Sequence, residues 1–210
     1  MKTVPLFLLP LTLSSLATAQ TYQSVNITLK QSTGQLRVAP STATTPTLGV
    51  KTPTVKAGVA YVSASHETGD WAVGLSPRLP LALSIRQDTG SMDLNLRGLP
   101  LTALNLMGTT SDIQLVLPSR SLTANITQDT GSLNLYLPAD TGLQVVIQNF
   151  GTGSLVVEGQ EVASGIALTG TYKTANYDSA RNRITLNLKM TTGDVKVFKP
   201  GAPAPRLNTK

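Results

Sequence analysis

Three acidic residues are the first candidates for chemistry, because each stands directly before a Thr-Gly pair: Glu67, Asp88 and Asp129. If each pair marks a turn of a repeating β-structure, Asp88 and Asp129 lie two coils apart, at about 10 Å. That separation is near the upper limit for inverting glycoside hydrolysis, where two carboxylates act as acid and base. The coil between them offers Thr109, and the neighbouring positions lack the aromatic platforms of sugar sites. We therefore interpret the acids as turn-capping residues and predict no catalytic residue.

Metal and cofactor chemistry have little support in the sequence. His66 is the single histidine, and neither a second histidine nor a nucleophile motif accompanies it. Asp70, Asp112 and Asp194 follow turn positions where Ca²⁺ could bind, but the nonapeptide of calcium β-rolls is missing. We interpret His66 as a hydrogen-bonding turn residue, and we predict no metal and no cofactor.

A column of threonines offers a different kind of site, a periodic face for ice or another crystal. Its members stand before the turn glycine or its substitute: Thr33, Thr68, Thr89, Thr110, Thr130 and Thr192. A flat recognition face would need Thr at alternating positions within a strand, whereas here Thr occurs once per coil. The spacing favours a structural ladder.

The elements that position these residues form a repeat. Residues 85–92 return as 126–133, with a weaker copy at 106–113, so that Gly90, Ser111 and Gly131 occupy equivalent positions. These positions are 21 and 20 residues apart, which is the interval of one coil of a β-solenoid. Ser111 replaces glycine, so we expect its turn to be shifted or slightly strained. Seven copies predict a stack about 30 Å tall.

Apolar and polar residues alternate along each copy, as in half-buried strands. The inward positions are Leu, Ile and Val, and the outward columns are Ser84, Asn105, Asn125 and Asp93, Gln114, Asn134. The predicted fold class is all-β: a single-domain β-solenoid of stacked two-strand coils, about 20 residues each in roughly seven rungs, with no substantial helix in the mature chain.

The chain divides into three predicted regions. Residues 1–19 have the positive start, the apolar stretch and the Ala-Thr-Ala ending of an export signal. Residues 20–198 form the solenoid, with irregular excursions at 39–59 and 158–182. Residues 199–210 are Pro-rich and predict a disordered tail.

Composition limits the partners. The chain has no cysteine, so its stability must come from backbone ladders and an apolar core. The net charge is +6, with Lys and Arg scattered along the sequence. This pattern favours loose association with anionic envelope polymers and argues against nucleic acid. No later segment is long and apolar enough to span a bilayer, so we expect no stable membrane insertion once the signal is removed.

The segment 177–188, which leads into Thr192-Gly193-Asp194-Val195-Lys196-Val197, resembles the closing segment of bacterial envelope β-solenoid domains. These are the putative-adhesin domains and the related toast-rack domains of cell-wall antibiotic-response proteins. The Asp-Thr-Gly-Ser copies resemble their internal rungs, so the resemblance covers roughly residues 24–198. It implies a solenoid of the cell envelope. The antibiotic-response members usually carry transmembrane helices before the solenoid, and we expect none in this chain.

The leading expectation is an exported, non-enzymatic structural or adhesive element in the periplasm, cell envelope or extracellular space, whose partner is an envelope protein or a cell-surface polymer. Two alternatives stay open: a polysaccharide-active hydrolase or lyase on the same scaffold, and a soluble modulator of envelope stress sensing. The predicted interaction face consists of Asn105, Asn125, Gln114, Asn134 and Tyr136.

Overall fold

The computed structural model describes residues 22–42, 47–49 and 53–204, so the predicted export signal at 1–19 lies outside the described residues. Within these ranges the protein is all-β, and its eleven strands belong to one sheet. The strands are β1 Ser24–Pro40, β2 Thr47–Leu48, β3 Thr54–Lys56, β4 Val59–Thr68, β5 Trp71–Leu75, β6 Leu81–Asn95, β7 Leu101–Val116, β8 Leu122–Tyr136, β9 Thr141–Val157, β10 Gln160–Lys173 and β11 Asn182–Val197.

Seven rungs stack in parallel, which confirms the predicted β-solenoid. Their order in space is β9, β11, β8, β7, β6, β1 and then the pair β4 and β5, which together form one rung beside β1. Chain order is therefore broken at both ends of the stack. β11 is inserted between β8 and β9, and the rung of β4 and β5 lies outside β1.

Each long strand is one bent rung, and β6 shows how the sequence produces the bend. Before the bend, Leu83 and Ile85 are buried at odd positions, and after it Met92 and Leu94 are buried at even positions. The alternation shifts by one residue around Gly90, so both arms turn their apolar side chains toward the same core. We call the part of a rung before its turn position the first arm and the part after it the second arm. Burying each large apolar side chain contributes about 1.5 to 3 kcal/mol.

The bend requires glycine for two reasons. Gly90 has a φ of +132°, a conformation that other residues resist. A Cβ on Gly90 would also overlap the carbonyl oxygen of Gly34 in the adjacent rung. The recurring Thr-Gly pair is thus explained by close stacking of one bend on the next.

Buried glutamines next to the bends link neighbouring rungs. The Nε2 of Gln31 donates to the carbonyl of Gly69 at 2.7 Å, and that of Gln87 donates to Gly34 at 2.9 Å. Gln128 makes the corresponding bond to Ser111. Since a buried carbonyl without a partner is costly, these amides stabilise the corner of the stack. His66 is in register with Gln31, as the repeat predicts.

The rung of β7 departs from the pattern at Ser111, the position of the turn glycine in the neighbouring rungs. This residue keeps a negative φ, and pairing between β7 and β8 is interrupted at Ser111 and Asp112, between Thr110 and Ile113. The carboxylate of Asp112 accepts the Ser132 N–H at 2.9 Å within the interruption. The register is the same on both sides of the interruption, Thr110 with Thr130 and Ile113 with Leu133, so the turn loses pairing without a shift of register.

The two predicted excursions contain ordered strands, and this corrects the expectation of irregular structure at 158–182. There β10 pairs antiparallel with β9 over its length. An edge strand such as β9 leaves a row of N–H and C=O groups unpaired, and β10 covers them. In the segment 39–59, β2 pairs with β5 and β3 pairs with β4, both antiparallel.

The start of the predicted disordered tail is also ordered. The N–H of Phe198 donates to Leu135 at 3.0 Å, and that of Gly201 donates to Leu137 at 2.8 Å. The backbone continues from β11 along the end of β8 because these carbonyls need donors. Residues 205–210 lie outside the described residues.

Candidate ligand-binding surface

The outer face of the first arms has a column of hydroxyl and amide side chains, one from each of five adjacent rungs: β1, β6, β7, β8 and β11. Its members in register are Thr28, Ser84, Asn105, Asn125 and Asn187. The Nδ2 of Asn125 donates to Asn105 at 2.9 Å, and that of Asn187 donates to Asn125 at 3.0 Å. These amides form a ladder. The sequence predicted Asn105 and Asn125 as outward neighbours, and the structure adds Asn187.

A second exposed column runs beside the first, two residues further along each strand. It contains Lys30, Arg86, Met107, Thr127 and Lys189 in register. The Nε of Arg86 lies 3.2 Å from Asp88, and its guanidinium also contacts the sulfur of Met107 at 3.5 Å. The column therefore combines cationic side chains with an exposed thioether, that of Met107, which is 44% exposed. We did not single out these residues from the sequence, although aligning the repeats would have placed them together.

The two columns line a groove of about 400 Å³ across the first arms of β1, β6, β7 and β8. Its outward side chains include Lys30, Ser84, Arg86, Asn105 and Asn125. None of its lining residues is acidic. The groove can therefore offer hydrogen bonds and positive charge to a ligand.

A separate cavity of about 630 Å³ lies at the end of the stack formed by β4 and β5. Trp71 and His66 line it and stack on each other with ring centroids 5.6 Å apart. Lys30 lines both cavities. His66 thus packs against an aromatic ring beside the bend.

The other residues of the predicted interaction face lie elsewhere. Gln114 and Asn134 are in register on the second arms, so their outer face is distinct from that of Asn105 and Asn125. Tyr136 is only 7% exposed, and its ring stacks on Phe198 with centroids 4.4 Å apart. Burial raises the pKa of the Tyr136 phenol above its ordinary value. Tyr136 is therefore removed from the interaction face, because the segment following β11 covers it.

The turn acids do not converge. Pairing of Thr89 with Thr110 and of Thr110 with Thr130 places the rung of Thr109 between Asp88 and Asp129. Within the described ranges, no group of three or more His, Cys, Asp or Glu could hold a metal ion.

Some turn acids bind neighbouring hydroxyl groups. Asp112 accepts from the Ser132 hydroxyl at 2.7 Å, and Asp194 accepts from that of Ser154 at 2.5 Å. These two carboxylates tie adjacent bends together.

The threonine column is a continuous ladder along the bends. Register joins seven threonines, one per rung: Thr68, Thr33, Thr89, Thr110, Thr130, Thr192 and Thr152. Thr152 is an addition to the predicted set. The ladder has one threonine per rung at the bend, which is the arrangement expected of a structural column.

Comparison with solved structures identifies a similar fold. A crystal structure of a "putative cell adhesion protein" from Clostridium sporogenes superposes with a TM-score of 0.70, covering 85% of this chain and 93% of that one. The two chains share one fold. Their sequences are 17% identical, so the likeness concerns architecture. No family model and no curated protein matches the sequence.

No helix in the described part of the chain has the length and apolar character needed to cross a membrane.

Proposed function

We propose that the protein is an exported, non-enzymatic adhesive or structural element of the bacterial cell envelope. The observation that carries the proposal is the outer face of the first arms, where neutral amides are joined in a ladder across adjacent rungs. Such a face can hydrogen-bond a partner, yet it places no acid and base opposite each other for proton transfer. The fold shared with the clostridial protein supports an adhesive role.

A rigid stack also suits this role. Backbone ladders join all seven rungs, and the apolar core runs through each of them. The exposed side chains are therefore held at a fixed spacing of about 4.8 Å between strands. Preorganised groups lose little conformational freedom on binding, which favours affinity for an extended partner.

Cosedimentation of the protein with purified envelope material tests the proposal. We expect capture without release of new reducing ends. Asn105→Trp combined with Asn125→Trp should weaken capture, because bulky rings interrupt the ladder while the core is unchanged. Gln114→Trp with Asn134→Trp is the matched control on the second arms and should retain capture. Circular dichroism melts should show all variants folded.

Two results would count against the proposal. The first is a failure of the parent protein to sediment with any envelope fraction. The second is enzymatic release of glycan fragments, which would favour the hydrolase or lyase.

A further inference from the structure

Positive charge is concentrated at one end of the groove across the first arms. Lys30 and Arg86 are paired in register on the adjacent strands β1 and β6. Neighbouring strands are about 4.8 Å apart, so the two cationic side chains leave the sheet side by side. Like charges in directly opposed positions destabilise a sheet. The pair therefore has a cost for folding that a negatively charged ligand would offset.

The protein supplies little compensation for these charges. Asp88 lies 3.2 Å from Arg86, but this ion pair is solvent-exposed and such pairs contribute little. Lys30 forms no ion pair within the described ranges 22–42, 47–49 and 53–204. The short segments between those ranges, 43–46 and 50–52, contain no Asp or Glu in the sequence. The column continues to Lys189 without an acidic residue.

The rest of the groove has no aromatic platform, but it offers hydrogen-bonding groups and one exposed apolar side chain to a sugar. Asn105 accepts a hydrogen bond from Asn125, and its own Nδ2 donors have no acceptor among the described residues. Ser84 and Asn105 are in register, so they repeat at the strand spacing, which is close to the length of one pyranose ring. Met107 adds an exposed apolar surface for the carbon face of a sugar.

We propose that this groove binds an acidic polysaccharide, with sugar carboxylates at Lys30 and Arg86 and sugar hydroxyls at Ser84, Asn105 and Asn125. The guanidinium of Arg86 has the planar geometry that matches a carboxylate or a phosphate. The hydroxyl and amide groups of Ser84 and Asn105 beside it favour a sugar chain. Nucleic acid fits the groove less well, because no aromatic side chain lines it for base stacking. The inference rests on the proposed adhesive function and specifies its ligand.

The test uses fluorescein-labelled polygalacturonate fragments and fluorescence anisotropy at low salt, where charge interactions are least screened. Lys30→Gln combined with Arg86→Gln should lower affinity by about tenfold or more, since two charge-assisted contacts are lost. The control is Arg97→Gln with Lys196→Gln, which removes the same charge from exposed positions outside the groove. It should stay within about twofold of the parent.

A second variant tests the site with both cations kept. Ser84→Glu places a carboxylate two residues before Arg86 on the same outer face, so it should also weaken binding. The same fragments with their carboxyl groups reduced to alcohols should bind at least about tenfold more weakly than the acid form. Poly(glycerol phosphate) is the phosphate probe and should bind more weakly than polygalacturonate.

The parent and the Lys30→Gln, Arg86→Gln double variant could bind polygalacturonate with equal affinity. That result would show that the groove is not the binding site. Preference for poly(glycerol phosphate), or no binding of either polymer, would overturn the assignment to sugar carboxylates. In both cases continued sedimentation with envelope material would leave the adhesive function standing. Loss of that sedimentation in the parent would instead refute the function.

Discussion

Single residues in this protein have roles that depend on the rung above or below them. Gly90 illustrates this, because a side chain at this position would overlap the backbone carbonyl of Gly34 in the neighbouring rung. The sequence predicted the turn and the need for glycine from the recurring Thr-Gly pair. The close approach to the next rung depends on stacking and was not predictable from one copy.

Gly90→Ala should destabilise the protein by more than about 3 kcal/mol. Positive φ costs an ordinary residue about 1 to 2 kcal/mol, and the added Cβ must also displace a backbone carbonyl. Gly98→Ala is the matched control, since Gly98 has a φ of +77° and open space around its Cα. It should cost only the conformational part, about 1 to 2 kcal/mol. Urea denaturation measures both, and equal losses would contradict the stacking explanation.

At the scale of an element, the repeat predicts which residues of a rung are buried or exposed. It predicts less well where that rung lies in the stack. The alternation of Leu, Ile and Val specified which side of each strand is buried, and the equivalent turn positions specified register. Asn105 and Asn125 were found in this way. Asn187 belongs to the same column but lies 62 residues from Asn125 in the chain. The pattern could not identify them as neighbours, because the sequence does not state that β11 enters between β8 and β9.

The bend of β7 tests whether the residues at one bend depend on each other. Gly108 takes the position of the corner glutamines, and Ser111 takes that of the turn glycines. A Cβ on Gly108 would overlap the Ser111 hydroxyl, so the two departures are coupled. The Oγ of Ser111 and the Oε1 of Gln87 are buried without a hydrogen-bond partner among the described residues. Such atoms carry a desolvation cost.

Gly108→Gln with Ser111→Gly should therefore be more stable than the sum of the single changes implies. Gly108→Gln alone should destabilise by overlap, and Ser111→Gly alone should leave a void. Together they would restore the corner pattern, with the new amide able to donate to Gln87 as Gln87 donates to Gln31. We expect a favourable coupling of about 1 to 3 kcal/mol in a double-mutant cycle. Additive effects would show that the corners are independent.

At the scale of the molecule, the sequence predicted a seven-rung stack but not how its ends are finished. Both ends are covered by antiparallel strands, β10 on β9 and β3 on β4. The sequence of β10 looked irregular because most of its residues are exposed, so it lacks the buried alternation that identifies the internal rungs. Tyr136 was misplaced for a similar reason. The alternation in β8 places Tyr136 on the outward side of the strand, but Phe198, which follows β11, stacks on its ring.

Charge was also interpretable only in the complete stack. Aligning the repeats puts Lys30 and Arg86 in one column, but chain order would place the rung of β4 and β5 between them. Direct pairing of β1 with β6 makes the two residues neighbours. Parallel stacking converts equivalent positions in separate repeats into continuous surface columns. The candidate ligand surface is consequently a property of the assembled solenoid.

The central claim is that the stack binds without catalysing a reaction. The most direct test compares the parent with Asp88→Asn combined with Asp129→Asn, measuring envelope capture and reducing-end release in the same samples. Both acids lie on bends and their rungs are separated by that of Thr109, so we expect equal capture, equal melting temperatures and no reducing-end release from either protein. Glycan cleavage by the parent that disappears in the double variant would contradict it.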